Sequence, residues 1–300
     1  MKAWFTIILT GVLAASAWSQ PLSKLIVFGD SLSDTGNSYE YSNHRIPSGA
    51  VYYQGRFSNG PIWVDRSIDV LFPKTKAQSV LNYAFGGAGV LNTQGESFTL
   101  SQEIDSYLLS HQSRLDAETA LVLWIGANDY LVHPAANEAD IEAVITAIEA
   151  SLQRLVDHGA HRVLVVGLPN LGESPFAREL DAVDQLSKIT QTHNQLLKEM
   201  VVKLQTQYRD LDWVYLDVDR LFVDLKAHPE QYGLTHIEEK CLHLRPQQQG
   251  LAVMQAEDQG QCLGYLFFDQ LHPTTAVHQL LAHAVVQVLD RWNVRDRDLS

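Results

Sequence analysis

Short apolar runs that end in glycine or small polar residues alternate along this chain with longer stretches in which apolar positions recur every three or four residues. The first pattern predicts strands buried on both faces, the second amphipathic helices. Leu25-Ile26-Val27-Phe28 is the first strand, Ser79 to Ala84 the second and Thr119 to Ile125 the third. Arg162 to Val166 makes a fourth strand and Trp213 to Leu216 a fifth. Pro61 to Phe72 reads as a helix with proline at its start. Ile141 to Val156 places Ile141, Val144, Ile145, Ile148, Leu152 and Leu155 on one helical face, and a last helix runs from Thr275 to Asp290.

Strands alternating with helices of this length predict an α/β fold, a parallel sheet of about five strands with helices on both faces. Ligands of such sheets bind beyond the carboxyl ends of the strands. Three polar or glycine-rich motifs directly follow strands, at Gly29 to Asn37, Gly86 to Gly89 and Gly126 to Asp129, so they converge on one edge. The segment Tyr232 to Gln261, rich in glutamine and holding Pro246 and Gly250, breaks the alternation.

Composition narrows the function classes. The 300 residues are 46% apolar and 19% charged, enough for a sizeable core. A formal net charge of −13 without a Lys/Arg cluster argues against nucleic acid as a partner and against electrostatic docking on anionic lipid.

Met1-Lys2 followed by the apolar run Trp4 to Ala17, with small residues at Ala15, Ala17 and Ser19, predicts a signal peptide over residues 1–19 and an exported chain, secreted or periplasmic. The run is too short for a membrane span. Residues 20–300 then form a single domain. In an oxidising compartment the two cysteines, Cys241 and Cys262, are expected to pair, stabilising the fold by about 3 kcal/mol. Two cysteines without a paired histidine motif do not make a metal site.

The chemistry sits at the two ends of the chain. Ser31 follows the first strand in Gly29-Asp30-Ser31-Leu32, and Asp269-Gln270-Leu271-His272 offers a carboxylate and an imidazole three residues apart. A serine hydroxyl needs an adjacent base to become a nucleophile; His272 can serve, held in the required tautomer by Asp269. An acyl transition state also needs donors for its oxyanion. The Ser31 amide, the Gly87 amide (with Gly86 as the fallback) and the Asn128 side chain are the candidates. Taken singly, Ser31 fits a helix N-cap, Gly86 to Gly89 a tight turn and Asn128 a turn start; their joint occurrence at strand ends favours catalysis.

These segments resemble the signature blocks of the GDSL, or SGNH hydrolase, family: Gly29-Asp30-Ser31-Leu32, Asn82 to Ala88, Gly126-Ala127-Asn128-Asp129 and Asp269-x-x-His272. Gly55 to Gly60 followed by Trp63 is also similar to the family, whereas Ser33 departs from the Gly-x-Ser-x-Gly elbow of α/β-hydrolases. The resemblance implies a three-layer, flavodoxin-like fold. It further implies ester hydrolysis through an acyl-enzyme on Ser31, without metal or organic cofactor.

Ser33-Asp34-Thr35-Gly36-Asn37 and the late cysteine pair resemble the secreted bacterial branch of phospholipases A, lysophospholipases and glycerophospholipid–cholesterol acyltransferases. That likeness implies a lysophospholipid or phospholipid as substrate, with transfer to a sterol or other alcohol as an alternative. Esterase action on short acyl or sugar esters stays open, as does a catalytically silent lipid-binding protein. The 241–262 loop reads as a lid, as an inhibitory segment opened by an activating protease, or as a stapled surface loop.

Overall fold

Five strands, Lys24–Gly29 (β1), Val80–Asn82 (β2), Thr119–Trp124 (β3), Arg162–Val166 (β4) and Asp212–Leu216 (β5), pair in parallel in the order β2-β1-β3-β4-β5. The computed structural model describes residues 21–75, 78–91, 98–111, 114–246, 252–256 and 262–294. The expected signal peptide and much of the loop between the cysteines lie outside the described residues. Register runs straight across the sheet, placing Leu81, Ile26, Leu121, Val163 and Trp213 in one row. β3 and β4 are buried along their whole length, as the apolar runs that follow Thr119 and Arg162 require.

The order of strands dictates where the helices go. Right-handed crossovers place the β1-to-β2 helix on one face and the helices linking β2 to β3, β3 to β4 and β4 to β5 on the other, because the direction of travel reverses. After Asn37–Tyr41 (α1) comes Trp63–Leu71 (α2), the first crossover helix. Leu100–Ser110 (α3), the short Ala127–Leu131 (α4), Glu138–Asp157 (α5), Pro175–Glu179 (α6) and Val183–Gln207 (α7) follow. Val218–Ala227 (α8) and Thr275–Val294 (α9) complete the set. α2 packs on α9, while α3, α5 and α7 pack side by side. The reversal falls between β1 and β3, which places the ligand crevice of such a sheet at their carboxyl ends.

Two boundaries differ from expectation for local reasons. The second strand ends at Asn82 rather than Ala84: the Tyr83 and Phe85 amides still donate to the Val27 and Gly29 carbonyls, but the carbonyls of Asn82 and Ala84 accept from Asn37 Nδ2 instead of from β1. The helix expected from Pro61 begins at Trp63, since Asp65 accepts the Ile62 amide at 3.0 Å and leaves Ile62 as the N-cap. The irregular segment after Tyr232 holds His236–Lys240 (β6), which pairs with Tyr265–Phe267 (β9), and a hairpin of Leu242–Pro246 (β7) with Ala252–Ala256 (β8). Cys241 and Cys262 are disulfide-bonded at its base.

Candidate active site

Ser31 stands one residue past Asp30 at the end of β1, and Asp269 and His272 follow β9 on a short turn. The topology brings the two ends of the chain together: His272 Nε2 lies 2.8 Å from Ser31 Oγ. On the other side of the ring, Nδ1 is 2.7 Å from Asp269 Oδ2 and 2.9 Å from Oδ1. A carboxylate only accepts, so Nδ1 carries the proton and Nε2 is left to accept the Ser31 hydroxyl. Asp269 Oδ1 also accepts the backbone amides of Leu271 and His272 at 2.9 and 2.8 Å, which fixes the turn.

Burial alone would push the Asp269 carboxyl up, but the His272 charge and these hydrogen bonds bring it down to about 2. For His272, burial works against the charged form, yet the charge and hydrogen bond of Asp269, helped by Asp30, outweigh it and raise its pKa. Asp30, fully enclosed behind Ser31, is raised to about 6 by burial. The site is therefore built to hold a proton on the His272 ring.

The expected oxyanion donors share one cavity. Ser31, Gly87, Asn128 and His272 line a space of about 210 Å³. Its other walls are largely apolar, among them Leu131, Leu171, Phe222 and Phe267. Asn128 donates one amide hydrogen to the Ala88 carbonyl at 2.9 Å, leaving its second hydrogen for a ligand. Gly87 has φ +82°, and a Cβ on it would meet nothing within 4 Å, so the space beside its Cα is open. Gly86 does not fit the fallback role: its amide already donates to Asp34 Oδ2 at 2.9 Å and Ser38 Oγ at 2.7 Å.

Three groups the sequence did not single out hold these loops together. Asp34 accepts the amides of Gly36, Asn37, Ser38 and Gly86, tying the loop after β1 to the loop after β2. Asp129 accepts the amides of Val90 and Leu91, both at 2.9 Å, tying in the loop after β3. Tyr52 donates its hydroxyl to Asp269 Oδ2 at 2.7 Å. The Asp34-Thr35-Gly36-Asn37 stretch carried a signal for the first, since an aspartate before glycine favours a side-chain-capped turn. Ser33, the departure from the hydrolase elbow, is buried and accepts the Trp63 indole N–H at 3.2 Å. Among the described residues no cluster of three or more His, Cys, Asp or Glu could hold a metal ion.

This geometry agrees with the profile of a known family: residues 25–285 match the GDSL-like Lipase/Acylhydrolase family. The chain belongs to that family, a group of carboxylic ester hydrolases. It is 31% identical to the phosphatidylcholine-sterol acyltransferase of Aeromonas hydrophila, over 97% of this chain and 98% of that protein. It is 28% identical to the secreted effector protein SseJ of Salmonella typhimurium and 26% identical to the thermolabile hemolysin of Vibrio parahaemolyticus. Those matches cover 87% and 89% of this chain but only 62% and 63% of the relatives' lengths. Among solved structures, the native M. smegmatis aryl esterase shares the fold, with a TM-score of 0.52 at 14% identity over 90% of this chain and 99% of that one. The flavodoxin-like α/β architecture is thus the GDSL fold.

Proposed function

We propose that this GDSL acylhydrolase takes an acyl chain from a phospholipid onto Ser31 and passes it to an alcohol of the sterol class, with water as the competing acceptor. The observation that carries the chemistry is the unbroken hydrogen-bonded chain Ser31–His272–Asp269 opening onto an apolar cavity. Transfer is favoured by the near full-length similarity to a protein named phosphatidylcholine-sterol acyltransferase. Lysophospholipase or phospholipase A activity, the expectation from the sequence, is the water branch of the same reaction. Export is supported by the relative named a secreted effector; among the described residues no helix is long and apolar enough to cross a membrane.

In this reading Ser31 Oγ attacks the ester carbonyl as its proton moves to His272 Nε2. Asp269 stabilises the imidazolium without itself taking the proton. The carbonyl oxygen becomes an oxyanion, met by the amides of Ser31 and Gly87 and the free hydrogen of Asn128. Collapse expels the first alcohol, protonated by His272, and leaves the acyl chain on Ser31 against Leu131, Leu171 and Phe222. A second alcohol, or water, gives its proton to His272 Nε2 and attacks the acyl carbon; collapse breaks the bond to Ser31 Oγ, which takes the proton back from His272, and releases the new ester or the fatty acid.

The test is product analysis with acyl-labelled phosphatidylcholine in cholesterol-containing vesicles, for the wild type and Ser31→Ala. Labelled steryl ester that disappears in the variant supports transfer. Free fatty acid alone restricts the protein to hydrolysis, and a Ser31→Ala variant of full activity would overturn the nucleophile.

A further inference from the structure

Tyr52 sits 217 residues before Asp269, yet its hydroxyl reaches the carboxylate oxygen that also faces the His272 ring. Oδ1 takes two backbone amides and Oδ2 takes the phenol, while His272 Nδ1 lies against both oxygens. A carboxylate offers about four acceptor directions, so the phenol fills the last one and leaves Asp269 a single orientation. Burial first, and then the charge of Asp269, keep the phenol protonated by raising its pKa. It is therefore a donor throughout the working pH range.

Tyr52 is itself held from behind. Its ring stands edge-on to Phe268, with centroids 5.2 Å apart at 89°, and Phe57 flanks it at 6.2 Å. Phe268 is buried in one apolar cluster with Cys241, Cys262, Leu242 and Tyr265, against which Val51 and Tyr52 pack. The backbone repeats the link: the Cys241 amide donates to the Phe267 carbonyl at 3.0 Å, Leu242 to Phe268 at 2.8 Å, and Phe268 to His272 at 2.8 Å. The cross-link, Phe268 and Tyr52 stand directly behind the acid of the Ser31–His272–Asp269 chain.

We propose that Tyr52 is a positioning residue for Asp269, and that the Cys241–Cys262 cluster is the rigid support that keeps it there. The inference rests on the reading of Ser31, His272 and Asp269 as the catalytic chain. A phenol that donates to Asp269 draws off part of its negative charge and restrains its rotation. Without it, the carboxylate attracts the His272 proton more strongly and is free to turn. His272 then becomes more basic while the fraction of correctly oriented imidazole falls. The other ionisable groups facing this pair are Asp30 beyond β1, His278 on α9, and Lys240 and His243, which line the cavity on the hairpin side. Tyr52→Phe alters none of them and keeps the ring against Phe268 and Phe57.

The experiment measures kcat, KM and the pH profile of kcat/KM on a soluble short-chain nitrophenyl ester. The proteins compared are the wild type, Ser31→Ala, Tyr52→Phe, the Cys241→Ser/Cys262→Ser double variant, and that double variant combined with Tyr52→Phe. Tyr52→Phe is expected to lose about tenfold in kcat with KM within about twofold, the size expected for one hydrogen bond to a charged group. Its acidic limb should move up by roughly half a pH unit, and thermal melting should confirm folding. Loss of the disulfide should lower kcat in the wild-type background and add little once Tyr52 is phenylalanine. An unchanged kcat and limb in Tyr52→Phe, with Ser31→Ala inactive, overturns the Tyr52 assignment and leaves the catalytic chain standing. A fall in kcat with the limb fixed marks a merely structural role and also overturns it. Activity retained by Ser31→Ala removes the catalytic reading and this inference together.

Discussion

Asn128 donates to the carbonyl of Ala88, so the amide side chain after β3 is anchored to the residue next to Gly87 after β2. One hydrogen of the NH₂ group is thereby fixed, and with it the direction of the other. The two candidate oxyanion donors from different strand ends are locked into one frame before substrate arrives. Asn128→Ala should lower kcat by roughly 10²–10³ with little change in KM, the usual cost of one preorganised donor. Asn128→Asp should be worse, because it sets a negative group against a developing negative charge. A kcat within threefold of wild type for Asn128→Ala would remove this residue from the site.

Gly86 and Gly87 make a discriminating pair. A Cβ on Gly86 would lie 2.4 Å from the Phe57 ring, whose centroid is 5.2 Å from that of His272. A Cβ on Gly87 meets open space and suffers only from φ +82°. Gly87→Ala should therefore cost about 1–2 kcal/mol of stability, the penalty of a left-handed backbone. The flanking amides of Gly86 and Ala88 stay held by Asp34 and Phe85. Gly86→Ala should lose more activity as well as stability, because the displaced Phe57 presses on the His272 ring. Urea unfolding and ester turnover on the two variants rank them; the reverse order would show that Gly87, not Gly86, sits in the tight place.

The titration of the His272–Asp269 pair has opposite consequences for activity and for stability. His272 must be neutral to accept the Ser31 proton, and its pKa lies above the ordinary 6.5, so kcat/KM should fall along an acidic limb placed above pH 6.5. For stability the signs run the other way. His272, raised on folding, contributes stability in full below pH 6.5 and loses it as pH rises through its folded pKa. Asp269, depressed to about 2, contributes in full above pH 3.8 and loses it as pH falls toward 2. Asp269→Asn should thus destabilise most between about pH 3.8 and 6.5, where both partners are charged, and should drop kcat by about 10⁴. Denaturant melts across pH check the first statement; a penalty that is flat with pH would contradict it.

The sheet and the Ser31–His272–Asp269 set were legible because each signal is local. Strands buried on both faces leave continuous apolar runs, and the motif residues sit immediately after them. α7, the longest helix among the described residues, left no such trace: its buried stripe includes Thr190 and His193 among Leu186, Ile189, Leu197 and Met200. His193 is buried, pushed down to about 3 by that burial, and bonded to the Tyr130 hydroxyl, so a polar residue fills a core position. The supports of the site were illegible for a different reason. Tyr52 with Asp269 and Asp34 with Gly86 are partners across 217 and 52 residues, and only the closed sheet brings them together.

Asp34 is fully buried, and its carboxylate accepts four backbone amides: Gly36 at 2.7 Å, Asn37 at 2.6 Å, Ser38 at 3.1 Å and Gly86 at 2.9 Å. Asp34→Asn keeps the shape but replaces one acceptor oxygen with a donor aimed at backbone N–H groups, of which the Gly86 amide keeps a second acceptor in Ser38 Oγ. Hydrogen bonds to a buried charge contribute about 1.5–3 kcal/mol each, and a stranded buried donor costs about 1–3 kcal/mol. Part of that loss is recovered by relaxation of the loop, so a destabilisation of about 2–4 kcal/mol is expected in urea unfolding. Activity should fall as well, because the Gly86 amide anchored by Asp34 sets the peptide that carries Gly87 into the cavity. A stability loss below about 0.5 kcal/mol, the scale of an ordinary surface substitution, would show that the loops after β1 and β2 hold their places without this carboxylate.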